Sequence, residues 1–246
     1  MKYTHLDVTH NTKAASVIVP FIMNIVKPQS VIDVGCGTGT FLSVFNEHGV
    51  KKLMGLEGEW LDKKKLYIPV EFVQIVDIEK PFFFNQKFDL ALSLEVAEHL
   101  DPNSAPIFVD TLTRLSDVIL FSAAIPGQGG QNHVNEQWIE FWQDLFTKKE
   151  YSFYDVLRLK FWNDQDVDYW YKQNIFLIIK NGANNFGLSK TDFPINLVHP
   201  ELFEIVTKRN NTLYEKYTKI AWGYQSPAYY FKLFVKSICH SLGIIK

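Results

Sequence analysis

Along the first 180 residues, short apolar runs alternate with stretches in which apolar positions recur every three or four residues. Runs at 30–34, 52–57, 70–76, 88–94 and 117–123 predict strands, and two later runs, 151–160 and 174–180, complete a set of seven. Helical spacing appears between them at 39–48, closed by Gly49, at 104–116, and at 135–148 with Asn135 as N-cap. This alternation predicts an α/β fold: a doubly wound, mostly parallel seven-stranded sheet with helices on both faces. After Lys180 the texture changes. "NGANNFG" reads as loop, "HPELFEIVTKRN" as a short helix and 228–246 as another. Residues 1–182 are therefore expected to form one domain, and 183–246 a C-terminal extension acting as a lid, a dimer contact or a membrane-proximal helix.

Composition changes this picture little. The chain has 246 residues, 47% apolar and 21% charged, with a net charge of −2, so it lacks the basic excess of a general nucleic-acid binder. Cys36 and Cys239 stand far apart and form no metal-ligand pair, which points to a reducing, cytoplasmic setting. The N-terminus opens polar, and the apolar run 14–26 is interrupted by Pro20 and Asn24. It is expected to be neither a signal peptide nor a membrane span.

The chemistry starts at "VIDVGCGTGTF", residues 31–41. A glycine-rich turn after a first parallel strand lets the backbone approach a ligand and presents amides at the next helix. A dinucleotide fold spaces its glycines G-x-G-x-x-G, whereas Gly35, Gly37 and Gly39 run G-x-G-x-G. Asp33, two residues before the first glycine, disfavours a pyrophosphate and suits a cationic group. Glu57 ends the second strand, where a carboxylate can accept both hydroxyls of a ribose. Asp77 ends the third, where one can accept from an exocyclic amine. Together they outline adenosine carrying a cationic tail.

These residues resemble the class I S-adenosylmethionine-dependent methyltransferases, whose first motif is matched by "VIDVGCGTG" and whose later acids match Glu57 and Asp77. The resemblance runs from about Ser30 to Lys180. It implies a Rossmann-like fold, S-adenosyl-L-methionine as cofactor, and cofactor contacts from Asp33, Gly35, Gly37, Gly39, Glu57, Asp77, Ile78 and Glu95. Cys36 reads as a small turn residue.

The acceptor side is expected after strands four and five. In "SLEVAEHLDP", Glu95, Glu98 and His99 are spaced i, i+3, i+4, so one helical turn brings them to one side. "SAAIPGQGGQNHVNEQW" follows the fifth strand, its Gly127, Gly129 and Gly130 permitting a mobile loop that carries His133 and Glu136. Two mechanisms fit. His99 or His133, with Glu98 beside them, removes a hydroxyl proton while the oxygen attacks the methyl group. Alternatively Glu95, Glu98, His99 and His133 hold Mg2+ or Mn2+, a set similar to that of the small-RNA 2′-O-methyltransferases and the ubiquinone-pathway O-methyltransferases. In many class I enzymes the residues after strand four contact only the cofactor, and that reading also stands.

A polar rim of histidines, carboxylates, Asn132, Asn135 and Gln137 suits a hydroxyl-bearing acceptor, with Trp138 and Trp142 either stacking on a sugar or packing in the core. Arg158 is a candidate partner for a phosphate or a structural acid, near Trp162, Asn163, Asp164 and Asp166. "LFSAAIPGQGGQNHVNEQW" followed by "WYKQNIFLI" resembles a bacterial subgroup associated with surface-polysaccharide biosynthesis, which implies a sugar or nucleotide-sugar substrate. Nucleic acid is disfavoured by the weak basic character. A metal-dependent RNA 2′-O-methyltransferase, a small-molecule O-methyltransferase and a non-catalytic interaction module are the other readings. In the C-terminal helix, Phe231, Phe234, Val235, Ile238, Leu242 and Ile245 share one stripe. Packing on the domain, a homodimer seam and a peripheral membrane contact at the inner face compete for it.

Overall fold

The structure is a computed structural model that describes residues 11–82, 84–184 and 186–241. Its centre is one sheet of seven strands: β1 (Ser30–Val34), β2 (Lys52–Glu57), β3 (Val73–Ile75), β4 (Leu90–Leu94), β5 (Val118–Ser122), β6 (Tyr151–Tyr154) and β7 (Phe176–Lys180). Their order is β3-β2-β1-β4-β5-β7-β6, parallel except for β7, which runs antiparallel between β5 and β6. The doubly wound sheet of the sequence reading is therefore present. The chain reverses its direction of travel across the sheet between β1 and β4, and such switch points leave a crevice beyond the strand ends.

Strand residues feed two cores by strict alternation. Leu90 and Leu92 of β4, Leu120 of β5 and Leu177 of β7 face one side, packing with α1 (Lys13–Ile25) and α2 (Thr40–Glu47). Ala91, Ile119, Phe121 and Ile178 face the other, against α3 (Ala105–Leu115) and α4 (Ile139–Thr147). The register Ile119↔Ile178 and Leu120↔Leu177 keeps this alternation intact across the antiparallel pair, where a one-residue slip would turn every side chain to the wrong layer.

The apolar run near the N-terminus, given no element by the sequence pattern, forms helix α1, whose buried Ala14, Ala15, Ile18, Val19 and Ile22 follow the helical period. Pro20 is tolerated inside it because the carbonyl it leaves unpaired belongs to exposed Ser16. Several expectations are corrected. The predicted strand 151–160 ends at Tyr154, and the chain then forms the short helices α5 (Arg158–Phe161) and α6 (Tyr169–Asn174). Helix α4 begins at Ile139 with Trp138 as N-cap. Asn135 is buried and donates from Nδ2 to the Ala97 carbonyl, 3.2 Å. Trp142 lies in the core against Phe121, while Trp138 is 40% exposed. Arg158 is buried, forked onto Asp155 and donating to the carbonyls of Gln173 and Ile195. Its guanidinium is thereby engaged by a structural acid and two backbone carbonyls.

The chain divides into two compact units, 1–202 and 203–246. Helix α7 (Pro200–Ala221) is far longer than the short helix expected, and α8 (Pro227–Ser241) covers most of the predicted C-terminal one. Leu242 and Ile245 of the stripe lie outside the described residues. Among the described residues no helix is long and apolar enough to cross a membrane.

Candidate active site

Beyond the carboxyl ends of β1, β2 and β4 lies a cleft of about 1110 Å³. The glycine turn forms its floor. Gly35, Gly37 and Gly39 all take left-handed backbone angles, φ 83°, 55° and 79°, which a side chain would strain. A Cβ on Gly35 would also lie 2.5 Å from Val96 Cγ2, so this turn requires glycine for space as well as angle.

Glu57 is buried at the end of β2 and ties the turn down. Its Oε2 accepts from Gly37 N at 2.7 Å and its Oε1 from Gly58 N at 2.8 Å. Burial raises its pKa, opposed by the amides of Gly58 and Gly37. Asp33, one strand over and 4% exposed, is pushed up to about 7 by burial and then by the charge of Glu57. Among the described residues no cationic side chain pairs with either of these buried acids, an environment that suits a positively charged ligand group.

Asp77 sits on the rim, half exposed, paired with Lys80 at 2.7 Å and accepting from Glu79 N at 3.2 Å. The Lys80 hydrogen bond lowers its pKa. Ile78 beside it is buried and gives the cleft an apolar wall. Cys36 is buried, with a thiol pKa raised by burial, and has no reactive character.

At the cleft's far side the structure assembles Glu98, His99 and His133, with one ligand atom from each within 4.8 Å of the others. Glu95 does not join them on a helical turn. Its φ of 55° redirects the chain before the short 3-10 turn Ala97–His99, and its carboxylate accepts from Gln128 Nε2 at 2.8 Å and Asn174 Nδ2 at 3.2 Å. Burial raises the Glu95 pKa, against hydrogen bonds that lower it.

Glu98 is fully buried. Neither carboxylate oxygen has a hydrogen-bond partner; the amides of Glu98 itself and Ala124 face the group without completing one. Burial, then the Glu95 charge, pushes its pKa well up. The backbone around it is firmly held, since Val134 N and Asn135 N both donate to the Glu98 carbonyl at 2.9 Å. The His99 ring meets His133 edge-on at 4.8 Å between centroids, and burial pushes its pKa down to about 4, so it is neutral at physiological pH.

Glu136 organises the loop. Its Oε1 meets His133 Nδ1 at 2.9 Å and accepts from Gly129 N at 2.6 Å, while Oε2 accepts from Gly127 N at 2.7 Å. His133 thereby keeps Nε2 for a second partner. Gly130 lies directly against the ring, where an added Cβ would fall 2.1 Å from Nε2.

Asn132 lines the cleft, whereas Asn135, Gln137, Trp138, Trp162, Asn163, Asp164 and Asp166 do not. Trp60, Tyr169 and Trp170 line it instead, and Gln128 holds Glu95. Sequence reasoning passed over these four. Trp60 and the aromatic pair lie in loop or short helix with no periodicity, and the position of Gln128 within the glycine loop was the one available signal.

A left-handed glycine turn, a buried acid on β1 and an acid clamping the turn from β2 define a nucleoside-cofactor site on a doubly wound sheet. Residues 9–165 match the family described as Methyltransferase domain, and the chain belongs to that family as a class I S-adenosylmethionine-dependent methyltransferase. It is similar to the malonyl-[acyl-carrier protein] O-methyltransferase of Hamiltonella defensa subsp. Acyrthosiphon pisum (strain 5AT), 26% identical over 136 residues, 54% of this chain. The match spans 52%, about half, of that relative's length. Among solved structures, the methyltransferase domain of the bacterial protein CtHen1-C has a TM-score of 0.50 at 17% identity, over 68% of this chain and 97% of that one. Magnesium protoporphyrin IX methyltransferase from Synechocystis PCC 6803, with bound S-adenosylmethionine, also scores 0.50, at 15% identity over 69% and 79%. These two likenesses are of fold.

Proposed function

We propose that the protein methylates a hydroxyl oxygen of a sugar, nucleotide-activated or already in a glycan, with His133 as the base. One observation carries the oxygen chemistry: His133 is held at Nδ1 by Glu136, across a cleft that also holds the buried Asp33. S-adenosylmethionine, when bound, would supply an electrophilic sulfonium methyl group for the acceptor oxygen. Asp33 would hold its cationic tail, and Glu57, which keeps the turn closed, has lone pairs left for the ribose hydroxyls. His133 Nε2 takes the hydroxyl proton, and Glu136 stabilises the resulting imidazolium. The sugar reading is supported by Trp60, Tyr169 and Trp170, whose faces can stack on a ring, and by Asp101 and Asn132 on the same lining.

A second reading rests on Glu98. A buried carboxylate with two oxygens lacking hydrogen bonds, beside two imidazoles, fits a divalent cation, and the two nitrogen donors favour Mn2+ over Mg2+. Glu98, His99 and His133 would hold it, and it would lower the pKa of a bound hydroxyl. The deciding experiment is transfer of labelled methyl to a panel of nucleotide-linked sugars, with and without chelator. Labelled sugar supports the proposal. Label passing only to RNA or only to a carboxylate overturns it, and chelator-insensitive turnover removes the metal.

A further inference from the structure

The unit formed by residues 203–246 carries a charge opposite to the rest of the chain. It has seven lysines and arginines against two glutamates, net +5, while residues 1–202 have eighteen against twenty-five, net −7. The same short segment exposes much apolar and aromatic surface. Phe231 and Phe234 of α8 are 67% and 62% exposed, and Val235 and Ile238 are also open. At 100° per residue these four fall within about 100° of arc on one side of α8, with Lys232 and Lys236 beside them.

The corner before α8 is well defined. Gly223, φ 74°, closes α7, and Tyr230 Oη donates to the Ile220 carbonyl at 2.8 Å, fastening α8 to the end of α7. Trp222 and Tyr224, at this corner, are 72% and 75% exposed. Two helices joined by a hydrogen-bonded corner thus present an apolar stripe, lysine flanks and interfacial aromatics.

We propose that this helical pair docks on an anionic phospholipid surface, with α8 lying in the plane of the headgroups. Phenylalanine, valine and isoleucine enter the acyl boundary. Lys232 and Lys236 extend to the phosphates, and Trp222 and Tyr224 suit the interface. A second copy of the chain fits less well, because a two-fold contact through this face sets +5 against +5. Nucleic acid would use the lysines but leaves the aliphatic stripe uncovered. The proposal is independent of which acceptor is methylated.

Sedimentation of the full chain with vesicles tests it, using phosphatidylcholine alone and phosphatidylcholine mixed with phosphatidylglycerol. Binding is expected only to the mixed vesicles and weakens with salt. Replacing both lysines (Lys232→Gln, Lys236→Gln) should lower partitioning roughly 25-fold, about fivefold per charge. Phe231→Ser with Phe234→Ser should lower it on the order of a hundredfold. Unchanged far-ultraviolet circular dichroism in each variant certifies that the helices still form. No binding to mixed vesicles, binding indifferent to these substitutions, a dimer that the phenylalanine variant dissolves, or binding to single-stranded RNA in place of vesicles would each overturn it.

Discussion

Asp33 offers a test in which stability and function move in opposite directions. Its carboxyl is buried beside Glu57, and its pKa rises from 3.8 to about 7. At 1.36 kcal/mol per unit the shift corresponds to about 4 kcal/mol. Unfolded, the group ionises near pH 4; folded, it keeps its proton to about pH 7. The folded state therefore binds more protons between those values, and stability falls as pH rises through that window and is level above it. Asp33→Asn removes the ionisation and its cost. In cofactor-free protein the variant should melt at least about 5 °C above wild type near pH 8, at about 2–4 °C per kcal/mol, and close to wild type near pH 4. The same substitution should weaken S-adenosylmethionine binding by more than tenfold, since the cationic tail loses its partner. In wild type, cofactor affinity should fall as pH drops below about 7, by up to tenfold per unit, because ligand and proton compete; Asp33→Asn should abolish this dependence. Scanning calorimetry and titration calorimetry of both proteins measure all three. An equal melting gain at both pH values, or a wild-type affinity flat from about pH 6 to about pH 8, would show that Asp33 is not the titrating group.

Other substitutions separate the parts of the site. Glu136→Ala frees His133 Nδ1 and leaves the Gly127 and Gly129 amides without their acceptor, so methyl transfer should fall about 10- to 100-fold while cofactor affinity, measured by calorimetry, stays put. Gly130→Ala pushes a methyl group into His133 Nε2 and should lower kcat with little change in melting temperature, because the neighbour displaced is a side chain. Arg158→Ala leaves Asp155 and two carbonyls unpaired in the interior and should cost about 3–5 kcal/mol in chemical denaturation, with cofactor affinity of the folded fraction unchanged.

The cofactor half of the site was legible because its requirements are local. Asp33 and the positive φ of Gly35, Gly37 and Gly39 fall within seven consecutive residues, and Glu57, 20 residues beyond Gly37, ends the neighbouring parallel strand, so spacing and strand order carry their geometry. The acceptor half depends on contacts distant in sequence. Glu95 has the spacing of a helical face, but its carboxylate follows Gln128 and Asn174, 33 and 79 residues away, and no periodicity records that. Asn135 reads as a cap by type, yet Ala97 claims its side chain. The antiparallel β7 has the same alternation a parallel strand would show, and its direction is set by the route through α5 and α6. Pro20 interrupts the apolar run in the sequence, and helix α1 nonetheless continues through it with the affected Ser16 exposed. Arg158 reads equally as a partner for a phosphate or for a structural acid, and only the fold, which buries it against Asp155, selects the acid.

In the proposed function His133 removes the acceptor proton in a cleft already loaded with S-adenosylmethionine. The most direct measurement is single-turnover methyl transfer to a hydroxyl acceptor at saturating cofactor, comparing wild type with His133→Gln. With His133 as the base, cofactor affinity should be unchanged and the transfer rate lower by about 10²- to 10⁴-fold. Transfer at the wild-type rate in the variant would contradict that role.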